Sequence, residues 1–280
     1  MSDERRSPVG LIAGAGRLPV LVARGMRDAG LDVCCVGLGQ AWDDELPALC
    51  THFRAAGVFR IGRWIRLLRA WRVDRAVMVG RVEKARMHDP FRLFRQIPDW
   101  RAVQLWYRRL RHDRRNAALL AAVADELERS GVRLVDSTMY IPDHLATEGV
   151  LTTVAPGAMQ RADIAFGWPL LRQIVELDVG QSIAVRERDT IAVEAVEGTD
   201  RMIERAGTLC RAKGWTLLKT AKADHDMRAD VPTVGVQTIE RLHATGASAL
   251  ALGVGRVIML DRPDVIATAN RLGIAIVGVA

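Results

Sequence analysis

Two hundred and eighty residues, 49% hydrophobic and 26% charged, have enough apolar content to bury a core spread over two modest domains, which excludes disorder, collagen and coiled coil. Forty Lys and Arg stand against 33 Asp and Glu, but the excess is lopsided: residues 1–140 hold 25 basic and 16 acidic groups, and residues 141–280 hold 15 and 17. A basic half beside a slightly acidic one suits an anionic ligand on one side and a cation on the other, although Arg-rich composition alone produces the same count.

The first expected strand, Val9 to Ala13, runs into Gly14-Ala15-Gly16-Arg17 and then a helical pattern through Leu18, Leu21, Val22 and Met26, closed by Gly30. Leu31 to Val36 follows as a strand, Ile61 to Trp71 as an amphipathic helix, and Arg75 to Val79 as a strand ending at Gly80-Arg81. Alternating strands and helices predict a parallel sheet with helices on both faces. Residues 81–115 break the rhythm with eleven Lys/Arg against four acids, interleaved with Phe91, Phe94, Trp100, Trp106 and Tyr107. Such a stretch offers charge for phosphates and rings for stacking or lipid insertion, but an amphipathic helical excursion with solvated arginines is the plainer reading, and no nucleic-acid partner is expected. A helix from Ala117 to Arg129 and a strand from Val132 to Val135 complete the first domain, with the boundary placed near Ser137: residues 1–137, then 138–280.

In the second half a helix spans Asp163 to Leu177, strands Ser182 to Val185 and Thr190 to Ala195, and a helix Thr199 to Cys210. A strand at Thr216 to Lys219, a polar loop, a helix at Val236 to Thr245 and three apolar strands, Ala249 to Leu252, Val257 to Leu260 and Ile274 to Val279, follow. The fold class is therefore α/β throughout. No window holds the ~18 apolar residues of a membrane span and no secretory run opens the chain, so a cytoplasmic protein is expected. Cys34, Cys35, Cys50 and Cys210 have no metal-binding spacing and read as reduced, mostly buried thiols.

Three places could carry chemistry. Gly14-Ala15-Gly16 between a buried strand and a helix has the pattern by which backbone amides and a helix N-terminus hold phosphate, and Gly80 would lie on the same sheet edge. A packing turn has the same sequence, and Pro19 stands where a dinucleotide fingerprint wants glycine, which argues against a nicotinamide-dependent oxidoreductase. Glu194, Glu197, Gly198, Thr199 and Asp200 follow a strand within seven residues; carboxylates there suit Mg²⁺, while Thr199 and Asp200 equally suit a helix start. Lys219 to Gly235 sets Lys219, Lys222 and Arg228 among Asp224, Asp226 and Asp230, the cations and carboxylates that phosphoryl transfer uses. Gly253-Val254-Gly255 reads either as a close-approach turn or as a hairpin. The histidines lack metal or triad spacing, and no nucleophile elbow is present.

Gly10-Leu11-Ile12-Ala13-Gly14-Ala15-Gly16-Arg17-Leu18-Pro19, Ala162-Asp163-Ile164, Leu177 to Gln181, Ala192 to Asp200, and Lys219, Lys222, Arg228, Asp230, Pro232 and Gly235 together resemble the LpxI-type UDP-2,3-diacylglucosamine hydrolases over nearly the whole chain. The resemblance implies a Rossmann-like N-terminal domain and a C-terminal α/β catalytic domain. It implies a Mg²⁺-dependent enzyme of lipid A synthesis that cleaves a lipid-linked nucleotide sugar to UMP and 2,3-diacylglucosamine 1-phosphate. It further implies peripheral contact with the inner membrane and leaves a homodimer open. Asp230 matches the family's essential aspartate and is the expected catalytic residue; Asp230, Glu197 and Asp200 are the expected metal ligands. Gly14, Gly16, Arg17, Gly80, Thr199, Lys219, Lys222 and Arg228 are the expected substrate-binding residues. An acidic element associated with the family appears here as Arg115-Asn116-Ala117, His225 replaces a Gln and Ala223 a Pro. A descendant that binds a nucleotide sugar or glycolipid without turnover is the alternative.

Overall fold

Strand β1 (Pro8–Ala13) is apolar on both faces, as a strand covered by helices on each side must be, and it forms the middle of the first sheet. The computed structural model describes residues 8–39, 42–81, 99–105, 107, 116–223, 226–228 and 231–280. Helix α1 (Leu18–Asp28), β2 (Asp32–Leu38), β3 (His52–Ala56), α2 (Ile61–Ala70), β4 (Arg75–Val79), α3 (Trp100–Leu105), α4 (Asn116–Arg129) and β5 (Arg133–Leu134) follow in order. All five strands run parallel in the order β3-β2-β1-β4-β5, so the direction of winding reverses between β1 and β4. Helix α2 shows the pattern that builds the layer: Ile61, Trp64, Ile65 and Leu68 face the sheet, and Arg63, Arg66 and Arg69 face water. Strand β3 is a polar edge strand with no apolar alternation to announce it in the sequence. Most of the basic aromatic segment 81–115 lies outside the described residues; α3 is helical.

The chain divides after Ile141 into a second unit, with Met227 and Arg228 grouping with the first. The Ser137 N–H and hydroxyl both donate to the Met227 carbonyl, at 3.2 and 3.0 Å. The second unit holds β6 (Gly149–Val150), α5 (Ala158–Glu176), β7 (Ser182–Arg186), β8 (Asp189–Val193), α6 (Thr199–Leu209), β9 (Trp215–Lys219), β10 (Thr233–Val234), α7 (Val236–Ala244), β11 (Ala247–Gly253), β12 (Ile258–Met259), α8 (Arg262–Leu272) and β13 (Ala275–Val279). Its sheet is mixed, ordered β6-β13-β11-β9-β7-β8: β13, β11 and β9 run parallel, and β6, β7 and β8 pair antiparallel to their neighbours. Strand β12 pairs with β10 and not with β11, so the hairpin reading of Gly253-Val254-Gly255 is wrong. Gly253 is a close approach, but to the Thr220 side chain. Helix α8 was missed, although Pro263 at its first turn and the left-handed Gly273 at its end are ordinary start and stop signals.

Trp215, Leu217, Leu250, Leu252 and Ile276 centre the core on one face of this sheet, and Trp168, Leu171, Ile183 and Leu218 pack under α5 on the other. All four cysteines are free thiols, with Cys34, Cys35 and Cys210 buried. Burial pushes the Cys34 thiol up to about 11, which keeps it protonated and unreactive.

Candidate functional site

In the first unit the carboxyl ends of β1 and β4 meet at the point where the winding reverses, the usual ligand position in an open α/β sheet. The Gly14 N–H donates to the Val79 carbonyl at 2.8 Å, and Ala15 and Arg81 exchange bonds of 2.8 and 2.9 Å. A side chain on Gly14 would lie 2.7 Å from the Arg81 carbonyl oxygen, and one on Gly80, at φ +94°, would lie 2.8 Å from the Gly14 carbonyl carbon. Gly14 and Gly80 are thus required by each other's backbone. Gly16 differs: its φ is +100° and no atom lies within 4 Å of where a Cβ would stand. The Gly16 and Leu18 N–H groups donate to nothing among the described residues, so this part of the turn can still receive an anion. Arg17 places Nη1 2.7 Å from Glu45 Oε2 and 3.9 Å from Asp43 Oδ2, and Arg24 also pairs with Glu45. Bonds from Arg17 first and Arg24 second hold the Glu45 carboxyl below its ordinary value.

In the second unit the network is deeper. Ser182 opens β7 and stands in register opposite Lys219 at the carboxyl end of β9, while Glu194 follows the last residue of β8 on the other side. Their side chains converge on Thr199, the first residue of α6, reached through Gly198 at φ +82°. Lys219 Nζ donates to Thr199 Oγ1 at 2.6 Å, the Thr199 hydroxyl donates to Glu194 Oε1 at 2.9 Å, and the Ser182 hydroxyl donates to Glu194 Oε2 at 2.5 Å. Ser182 is 0%, Lys219 4% and Glu194 8% exposed, so the charged groups at both ends of this polar chain, flanking a half-buried Thr199, sit where solvent barely reaches. The N–H groups of Thr199, Asp200 and Arg201 donate to nothing among the described residues, which sets a helix N-terminus beside a lysine ammonium. A phosphate group fits that pairing of charge and amides.

The other expected residues fall elsewhere. Glu197 accepts from Arg205 at 2.5 Å and from the Ala195 N–H at 3.2 Å. Its own N–H first and the Arg205 guanidinium second hold its carboxyl below the ordinary value. Asp200 turns outward to Arg241 on α7, 2.5 Å away. Lys222 Nζ is 4.0 Å from Asp178 Oδ1, and half-buried Arg228 groups with the first unit. Asp230 lies outside the described residues.

Family models for the LpxI N-terminal domain and the LpxI C-terminal domain match residues 8–144 and 147–277, in that order. The chain belongs to the LpxI family. It is 32% identical over 280 residues to the UDP-2,3-diacylglucosamine pyrophosphatase LpxI of Caulobacter vibrioides, covering 97% of each chain. A biotin carboxylase complex from Campylobacter jejuni matches at 11% identity and a TM-score of 0.24, over 73% of this chain and 42% of that one, too distant to carry an argument. The junction of the two LpxI domains, at residues 145–146, lies a few residues beyond the division after Ile141.

The Mg²⁺ expected from the LpxI resemblance needs oxygen ligands gathered on one point. Among the described residues no three His, Cys, Asp or Glu side chains form such a group. Glu197 and Asp200 each face an arginine, so their placement does not fit a shared cation. Ser182 went unnoticed in the sequence because it faces Lys219 only once β7 is known to lie between β9 and β8. Arg241 was hidden for the same reason, since it comes from a different helix. Arg205 was visible, two turns into the helix that Thr199 starts, and marks Glu197 as an ion-paired carboxylate.

Proposed function

We propose that this chain hydrolyses the diphosphate of UDP-2,3-diacylglucosamine, giving UMP and 2,3-diacylglucosamine 1-phosphate in lipid A synthesis. The observation that carries the reading is the pair of LpxI domain matches from residue 8 to residue 277, joined to 32% identity with a relative named for that pyrophosphatase activity. Water adds to one phosphorus of the diphosphate, the bond to the bridging oxygen breaks, and that oxygen leaves with the other phosphate. Negative charge grows on the phosphoryl oxygens as it does so, and preorganised cations and amides lower the barrier. Lys219, with the first-turn amides of α6, is suited to that role, because its ammonium is already desolvated and aimed and need not reorganise during the reaction.

In this reading Asp230 orients the attacking water, and Lys222 and Arg228 are each a source of positive charge for the substrate's phosphates. The Gly16 and Leu18 N–H groups offer the first unit's own amides to an anionic group. A substrate with two acyl chains resides in a bilayer, so the chain works as a peripheral protein at the cytoplasmic face of the inner membrane. No helix among the described residues is long and apolar enough to cross that membrane.

The test is to incubate the purified chain with UDP-2,3-diacylglucosamine, with and without Mg²⁺, and to follow UMP. UMP release is expected, and Asp230→Ala is expected to abolish it while leaving the thermal transition in place. A folded Asp230→Ala protein with full activity removes that residue from the mechanism. Saturable protection by the substrate without UMP release identifies a binding protein instead.

A further inference from the structure

Half-buried Thr199 is the pivot of this chain. A hydroxyl has one proton; having donated it to Glu194, Thr199 can only accept from Lys219. The direction of the whole chain is therefore set by charge, with a carboxylate at one end and an ammonium at the other. Both ends are buried, and a buried charge is tolerated when its hydrogen-bonding capacity is met and an opposite charge lies near. Ser182 engages the second oxygen of Glu194 from the position opposite Lys219, so the carboxylate is held at both oxygens and cannot rotate away. An apolar layer would fill this space as well, and a carboxylate that served only to join β7 to α6 would not need to be relayed to a lysine at the strand's carboxyl end.

We propose that Glu194 is a positioning residue: through Thr199 it holds the Lys219 ammonium at the strand end beside the first turn of α6, and Ser182 locks Glu194 in place. The role rests on the hydrolase reading above, since it assigns Lys219 to the diphosphate.

The experiment is a double-mutant cycle on the full chain, with Glu194→Gln, Lys219→Met and the pair. It is read both as kcat/KM for UMP release and as the Kd for UDP, used as a diphosphate probe. Each single change is expected to lower kcat/KM and weaken UDP binding about thirtyfold or more, the scale for truncating one member of a buried, hydrogen-bonded charge network. Because Glu194 acts through Lys219, the pair is expected to be no worse than the worse single variant. Thr199→Ser, which keeps the hydroxyl, is expected to retain activity that Thr199→Val loses. Additive losses in the cycle, or losses that follow the thermal transition of each variant, overturn the proposal in favour of a merely structural carboxylate. Should Glu194→Gln fail to fold, Ser182→Ala takes its place, with a smaller loss that vanishes in the Lys219→Met background. A wild-type chain that releases no UMP overturns the hydrolase reading alone, because UDP binding still reads the coupling. Absence of coupling in UDP binding overturns this one.

Discussion

Gly14→Ala separates two roles that a glycine-rich turn can play. The added methyl would sit 2.7 Å from the Arg81 carbonyl oxygen, 2.9 Å from the Gly80 carbonyl carbon and 3.0 Å from the Gly80 carbonyl oxygen. None of these is the movable end of a side chain, so β1 and β4 must part at their carboxyl ends. Overpacking of this kind costs about 1–3 kcal/mol. Parting the strands also weakens the 2.8 Å Gly14–Val79 bond and the Ala15–Arg81 pair, at about 1 kcal/mol for each bond lost. The expected total is about 2–4 kcal/mol, or roughly 6–12 °C in the thermal transition of a domain of about 140 residues. Gly16→Ala is the matched control: the site is open, and the cost is the backbone's alone, about 1–2 kcal/mol at a φ of +100°. The assay is circular dichroism melting, with limited proteolysis to assign the transition to the first unit, alongside UDP binding. A Gly14→Ala protein that melts with the wild type would refute the closing-turn argument. If it also lost UDP binding, the glycine would belong to the ligand.

Two further outcomes test the second unit. Trp215 is 0% exposed and donates its indole N–H to the Thr245 carbonyl at 3.2 Å, so Trp215→Ala is expected to cost about 3–5 kcal/mol, measured by urea denaturation. Asp163, also 0% exposed, accepts from the Arg188 N–H at 2.8 Å through one oxygen, while the other has no partner. Burial is the largest influence and raises its pKa from the ordinary 3.8. A folded-state value above the unfolded one means that the contribution is fully present below pH 3.8 and is lost as pH rises through the raised value. Asp163→Asn keeps the acceptor for Arg188 and cannot ionise. Its melting temperature relative to wild type is therefore expected to be higher at pH 7 than at pH 4, and an equal difference at both would refute the assignment.

The repeated passage from apolar strand through turn to amphipathic helix was enough to identify an α/β chain. Elements such as α2 were legible because burial of one face imposes a period that the sequence must carry, as Ile61, Trp64, Ile65 and Leu68 do. The polar edge strand β3 carries no such period, since its residues are mostly exposed and only Ala56 is buried. Lys219, Thr199 and Glu194 were each visible as chemistry at the ends of strands. Their union was not, because it depends on β7 running antiparallel between β9 and β8, which brings Ser182 opposite Lys219. Glu197 and Asp200 show the converse. Local spacing placed them beside Thr199 as metal ligands, yet Arg205 and Arg241, fixed by helix packing, draw both carboxylates to themselves. Strands and helices follow from which residues must leave water, a property written along the chain. Pairing of charges follows from which strands become neighbours, and that is decided only when the sheet closes.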